Sequence, residues 1–238
     1  MEVVFMLIAA ISPAAVLGYY IYNKDKLRQE PPKELLKAFG LGVLSTVVSL
    51  CISQPLGLLG FYSNNPESFL GCLATAFFGA AIPEEIAKFL MFLLVIRKNH
   101  WFDERMDGIV YASCVALGFA ALENILYLAS NFDSWVSVGI TRALLSVPGH
   151  FFFGILMGYY FSIVRFSASP STKDKCLVLL APIIAHGTFN SLLFTMDIVP
   201  ALSAVLMVVF LYVVNKLRKV AVNKIEMHLR ADSMTINN

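Results

Sequence analysis

Residues 69–96 read FLGCLATAFFGAAIPEEIAKFLMFLLVI, and the only charged members of that run are Glu84, Glu85 and Lys88. At ~1.5 Å of rise per residue, the run is long enough to cross the ~30 Å hydrocarbon core of a bilayer. In lipid, a single segment satisfies its backbone polar groups only as a helix. Ionisable side chains at bilayer depth are expensive and mark function by default. The stretch therefore points both to a helical membrane protein and to chemistry inside it.

The rest of the chain agrees with the first of these readings. Of its 238 residues, 58% are hydrophobic and 14% charged, with a mean hydropathy of +0.73. A soluble domain carries charge at about a quarter of its positions. Seven spans fit, at roughly 3–22, 38–60, 69–96, 108–129, 137–165, 176–195 and 199–214. The expected fold is an all-α, polytopic transmembrane bundle forming one domain over 1–219, with a core at about 69–195 and a polar cytoplasmic tail at 220–238 whose start is weakly helical. The third and fifth spans are long enough for a tilt or kink. In the fifth, the second half begins at Pro148-Gly149, and 137–147 reads as a separate half-helix. The leading Met1-Glu2-Val3-Val4 lacks the basic n-region of a signal peptide, so the first apolar stretch is expected to be a retained span. Cys51, Cys72, Cys114 and Cys176 lie in apolar stretches without CxxC spacing, which suggests neither a disulfide framework nor a thiolate metal site.

Lys and Arg alternate with the spans. Lys24, Lys26, Arg28, Lys33 and Lys37 follow the first span, and Arg97, Lys98 and Arg105 the third. Arg165, Lys173 and Lys175 follow the fifth, and Lys216, Arg218, Lys219, Lys224 and Arg230 the seventh. The loops near 61–68, 130–136 and 196–198 have none. Since basic loops stay in the cytoplasm, the N-terminus is expected outside and the C-terminus inside. Short basic clusters of this kind, at a net charge of +2, make no nucleic-acid patch.

The polar residues left within the spans are few. On the third span, Lys88 projects between Glu84 and Glu85 at 100° per residue, so all three share a face. One carboxylate can pair with Lys88, while the other is available as a general base or acid. The fourth span carries Glu123, Asn124 and Tyr127. The fifth carries Arg142 and His150, and the sixth His186 with Asn190 one turn on. Measured from the basic end of each span, Glu85 lies ~16 Å up, Glu123 and His150 ~22 Å, and His186 ~15 Å, a common layer roughly 7 Å thick. Two imidazoles and carboxylates with an open position suit Zn²⁺ or a similar ion. Proline precedes the polar group closely at Pro83, Pro148 and Pro182, where it frees a carbonyl and bends the helix. HExxH, GxSxG, P-loop and GxGxxG patterns are absent. The residues alone leave two further functions open: a proton- or ion-coupled transporter, and a non-catalytic scaffold.

Pro83-Glu84-Glu85-Ile86-Ala87-Lys88 resembles the EExxK motif of the PrsW family of membrane proteases. Asp107-Gly108-Ile109-Val110-Tyr111, Gly118-Phe119-Ala120 and Glu123-Asn124-Ile125-Leu126-Tyr127 resemble its second block. Arg142 with His150, Phe153, Gly154, Gly158 and Tyr159 resembles the third. His186-Gly187-Thr188-Phe189-Asn190 is similar to an HxxxN pattern shared with CAAX prenyl endopeptidases and bacteriocin-immunity membrane proteins. Ser146 stands where that wider group has the Phe of its FxxxH element. The resemblance runs from about Ala81 to Asn190. It implies a multi-pass protein of the bacterial inner membrane, a protease usually classed as a metallopeptidase. Its substrate would be a single-span, membrane-anchored protein, in the family's best-known role an anti-sigma factor cut on its extracytoplasmic side. Glu84, Glu85, His150 and His186 would be catalytic, with Lys88, Glu123, Asn124, Tyr127, Arg142 and Asn190 in support, and Glu123, His150 and His186 would be the ligands of a metal.

Overall fold

The structure is a computed structural model that describes residues 1–236. Among the described residues no strand forms, and the chain is a bundle of helices. In chain order these are α1 (Glu2–Lys24), α2 (Pro32–Leu58), α3 (Phe69–Ala74), a π-helical segment (Thr75–Ala81), α4 (Ile82–Ile96), α5 (Arg105–Ser130), α6 (Trp135–Leu144), α7 (Ser146–Phe166), α8 (Thr172–Ile198) and α9 (Ser203–Ile236). Six helical stretches are long and apolar enough to cross a membrane. The run from Phe69 to Ile96 is a seventh helical stretch, broken by its π-helical turns into pieces of 6, 7 and 15 residues. Among the described residues the bundle thus has seven such helical stretches, six of which meet that criterion. The expected break in the fifth span is also present, because Leu145 separates α6 from α7.

α5 is the hub. Of its most apolar window, 78% is buried, against 22% for α1 and 28% for α2. It lies against α7, α2, α1 and α4. Glycines permit these close approaches. A side chain on Gly158 of α7 would run into the backbone of Gly108 and Ile109 on α5, and one on Gly118 would meet Phe39 and Gly42 of α2. Gly40, by contrast, faces open space. Gly158→Leu is expected to lower stability by about 1–3 kcal/mol through overpacking. Gly40→Ala should leave the melting temperature in detergent unchanged or slightly higher. Equal melting temperatures for Gly158→Leu and the unsubstituted chain would contradict the close α5–α7 contact.

Two elements differ from the expectations. Pro83 does more than bend its helix. Immediately before it, the backbone widens to i→i+5 bonding, with Ile82 N donating to Phe77 O. A π turn of this kind inserts one residue into a helix and is common at functional sites. The seventh span, expected to end near 214, continues as helix to Ile236. Ala221, Ile225, His228 and Asp232, spaced four, three and four apart, make a buried stripe along it. Ala221 and Ile225 pack with Met106, Ile109, Ile155 and Tyr159, and His228 bonds Tyr159 O at 3.1 Å. Lys216, Arg218, Lys219 and Lys224 conceal that stripe in a linear reading. Positions 237 and 238 of the expected tail lie outside the described residues.

Candidate active site

The polar layer expected from helix depth is assembled. Lys88 Nζ donates to Glu85 Oε1 at 2.8 Å and lies 3.5 Å from Glu84 Oε2 and 3.1 Å from His150 Nδ1. His150 Nε2 lies 2.9 Å from Glu123 Oε2, which Arg142 also grips at 2.5 Å. His186 Nδ1 lies 2.9 Å from Glu85 Oε1, and its Nε2 faces the Asn190 amide at 3.1 Å and Glu84 Oε2 at 3.8 Å. Four helices, α4, α5, α7 and α8, therefore deliver ionisable groups to one network. α6 adds Arg142 from the side.

The sequence explains most of this local order. Spacings of three and four on α4 bring Lys88 over Glu85 and Glu84. Arg142 is held three ways: its Nε donates to Asn124 Oδ1 at 2.7 Å, it pairs with Glu123, and its guanidinium lies 4.0 Å from the centre of the Tyr127 ring. Asn124 in turn donates to Ala10 O on α1 at 3.1 Å, which fixes α5 against the first span. Asn124 and Tyr127 thus both contact Arg142. Two aromatic residues, seen in the sequence only as motif members, complete the enclosure. The Phe153 ring stacks on His186 at 4.7 Å, and Phe119 lies 4.0 Å under the Lys88 ammonium. A helical apolar stripe gives no warning that a given Phe will face an imidazole.

The two glutamates of α4 have different surroundings. Glu85 is fully buried, with Oε1 committed to Lys88 and His186. Glu84 keeps 13% of its side chain exposed, and among the described residues its Oε1 makes no hydrogen bond. Three carboxylates, Glu84, Glu85 and Glu123, meet two fixed cations, Lys88 and Arg142. One negative charge is left over, and it falls to Glu84, whose contact with Lys88 is the longest of the set. A cation or a proton has to balance it in lipid.

The expected trio of Glu123, His150 and His186 is altered by this geometry. The carboxylate of Glu123 is taken up by Arg142 and His150, whereas Glu84, His150 and His186 place ligand atoms within 4.8 Å of one another. These donors fit a metal. Two imidazoles and a carboxylate are a catalytic zinc-type set. Each imidazole also has a nitrogen on a second carboxylate, His150 on the partly buried Glu123 and His186 on the buried Glu85, as metal-binding histidines do. Lys88, 3.1 Å from His150 Nδ1, competes for the lone pair that Glu123 leaves available.

Beside this network lies a cavity of about 490 Å³. Glu123, Tyr127, Arg142, His150, His186 and Asn190 line its polar end, and Phe194, Met196, Asp197, Ser203 and Met207 its other end, at the α8–α9 junction. The loops at that end of the bundle are the ones without Lys or Arg.

Comparison with known proteins bears on what such a pocket does. Residues 30–215 match the family model described as PrsW family intramembrane metalloprotease. The chain is 36% identical over 188 residues to Protease PrsW of Oceanobacillus iheyensis, covering 79% of this chain and 82% of the relative. It is 36% identical over 190 residues to the Geobacillus kaustophilus protein of the same name, covering 79% and 80%. It is 34% identical over 186 residues to that of Bacillus subtilis, covering 78% and 81%. No solved structure matches. With most of its length matched by the family model and by relatives above 30% identity, the chain belongs to the PrsW family of intramembrane metalloproteases.

Proposed function

We propose that this peptidase cuts a single-span, membrane-anchored protein near the face of the membrane where the α8–α9 junction lies, with Glu84 as the group that accepts the proton of the attacking water. The observation that carries the reading is the leftover charge on Glu84, whose Oε1 makes no hydrogen bond among the described residues and whose ion pair with Lys88 is longer than that of Glu85. Its unbonded Oε1 is the proton acceptor. Glu85 is a positioning residue that orients His186 and holds Lys88. Asn190 and the Arg142–Glu123 pair face the cavity, where they bind the substrate backbone and steady His150. Phe153, Phe119 and Phe189 limit water to the polar end.

His150, His186 and Glu84 would hold the metal, zinc by the character of the donors. Bound there, it would acidify water and polarise the scissile carbonyl. The absence of Lys and Arg from the loops at the cavity mouth supports an extracytoplasmic cut, with the N-terminus outside and the protein in the bacterial inner membrane. An anti-sigma factor is the proposed substrate. Proton- or ion-coupled transport and a scaffold role are set aside by the family membership.

Purified chain in proteoliposomes should cut a single-span anti-sigma substrate and carry about one equivalent of zinc by elemental analysis. Double substitution His150→Ala with His186→Ala should remove both properties. Full cleavage by that variant would overturn the assignment of the site.

A further inference from the structure

We propose that Asp25, Glu104 and Asp107 form a second cation site, far from the catalytic pocket, that takes an oxygen-seeking divalent ion, Mg²⁺ or Ca²⁺. Asp25 caps the C-terminus of α1, and Glu104 and Asp107 build the capping box at the N-terminus of α5. Their ligand atoms lie within 4.8 Å of one another. Along α5, Asp107 and Glu123 are ~24 Å apart, so the cluster lies at the other end of the bundle from the pocket.

Acidic residues gather at helix N-termini for reasons unrelated to ions, and here the backbone accounts for part of the cluster. Asp107 Oδ2 accepts from Asp103 N and Glu104 N at 2.7 Å each, and one Glu104 oxygen accepts from the Asp107 amide. The remaining oxygens have no such role. Asp107 Oδ1, Glu104 Oε1 and both oxygens of Asp25 are buried without a hydrogen-bond partner among the described residues. Asp25 is fully buried, and its carboxylate is aimed at the other two. An unpartnered buried carboxylate is among the most unfavourable groups a fold can hold.

Among the described residues no Lys or Arg forms an ion pair with Asp25, Glu104 or Asp107: Arg28 is engaged with Asp103 at 2.7 Å, and the exposed Lys24 lies over the Tyr20 ring. Glu30, which accepts from the Tyr111 hydroxyl, and Asp232 add further negative charge at the rim. Burial, before any neighbour, raises Asp25 to about 6, Glu30 to about 7 and Glu104 to about 8. Four orphaned oxygens from three carboxylates, with neither nitrogen nor sulfur among them, are the donor set of a hard cation and a poor one for zinc. The ion would have a mechanical role. Asp25 follows α1, Glu104 and Asp107 begin α5, and Asp232 accepts from the amides of Arg105 and Met106 at 3.0 and 2.9 Å. One ion would tie the first span to α5 beside the point where α9 docks.

The test uses full-length protein in detergent, stripped with a chelator and freed of it, then titrated with Ca²⁺ or Mg²⁺ alone by calorimetry and thermal unfolding. One saturable site per chain is expected, with a rise in Tm of roughly 5 °C at saturation. Asp25→Asn, and separately Glu104→Gln, should abolish that rise. Asp25→Asn should also melt above the stripped parent chain, since it removes one of three carboxylates that lie within 4.8 Å of one another. The double variant His150→Ala, His186→Ala should keep the full response, which separates this site from the catalytic one. No saturable binding up to about 10 mM, beyond the weakest protein calcium sites, would overturn the proposal. So would an equal rise in Asp25→Asn and the parent.

Discussion

Glu84→Gln will slow cleavage of a membrane-anchored substrate by about 10²–10⁴-fold, the usual contribution of a general base. Glutamine keeps the shape of Glu84 but can neither take a proton from water nor hold a metal as a carboxylate does, so zinc content measured beside the rate separates the two roles. Because Glu84 carries the charge that neither Lys88 nor Arg142 balances, the substitution relieves the fold and should leave the melting temperature equal or higher. Loss of rate with retention of fold distinguishes Glu84 from Glu85. Glu85→Gln breaks the bond of a fully buried carboxylate to Lys88 and should lower both rate and stability. Initial rates in proteoliposomes, beside unfolding in the same detergent, decide the matter. A rate for Glu84→Gln within tenfold of the parent would remove Glu84 from proton transfer.

The second large effect falls on stability. Lys88 is buried to 1% exposure among Glu84, Glu85, His150 and the face of Phe119. Lys88→Met leaves Glu85 without its cation and should destabilise the bundle by about 3–5 kcal/mol, the penalty for breaking a buried ion pair from one side. Removing both partners, as Lys88→Met with Glu85→Leu, should restore much of that loss, because two apolar side chains need no counter-charge. The double variant should nevertheless remain inactive, since His186 loses the carboxylate that orients it. A cycle of the four proteins measures the coupling, expected to reach the upper part of the 0.5–3 kcal/mol range for neighbouring sites. A destabilisation below ~1 kcal/mol in Lys88→Met would mean that water reaches this pair freely.

What could be read in the linear chain was set by periodicity and by cost. Apolar runs and alternating basic loops mark the spans, because lipid excludes other solutions. Glu84, Glu85, Lys88, Glu123, Arg142, His150 and His186 stand out because ionisable groups are so rarely placed at that depth. Counting rise from the basic end puts Glu85, Glu123, His150 and His186 in one layer, and the contacts of Glu123 with His150 and of Glu85 with His186 bring that layer together. The rotation of each helix about its axis is another matter, since packing decides it. Depth could not tell that Glu123 would turn to Arg142 and leave Glu84 with the two imidazoles. The acidic cluster was less visible still. Asp25, Glu30 and Glu104 sit in connecting segments where acids are unremarkable, and Asp232 meets Met106 across 126 positions of chain. The buried face of α9 escaped notice because long Lys and Arg side chains surround four positions whose regularity shows only in three dimensions.

The π turn at Thr75–Ala81 makes the reactive register a matter of length as well as identity. Loss of one residue there would let the backbone tighten to ordinary α bonding with the register kept, but tightening with every residue retained would swing everything beyond it by about 100° and shift it ~1.5 Å along the axis. Glu84 would turn away from His186 although every named side chain was still present. In this part of the chain, a one-residue gap in a sequence comparison is absorbed by the π turn, whereas the same gap between Pro83 and Lys88 would break the motif itself.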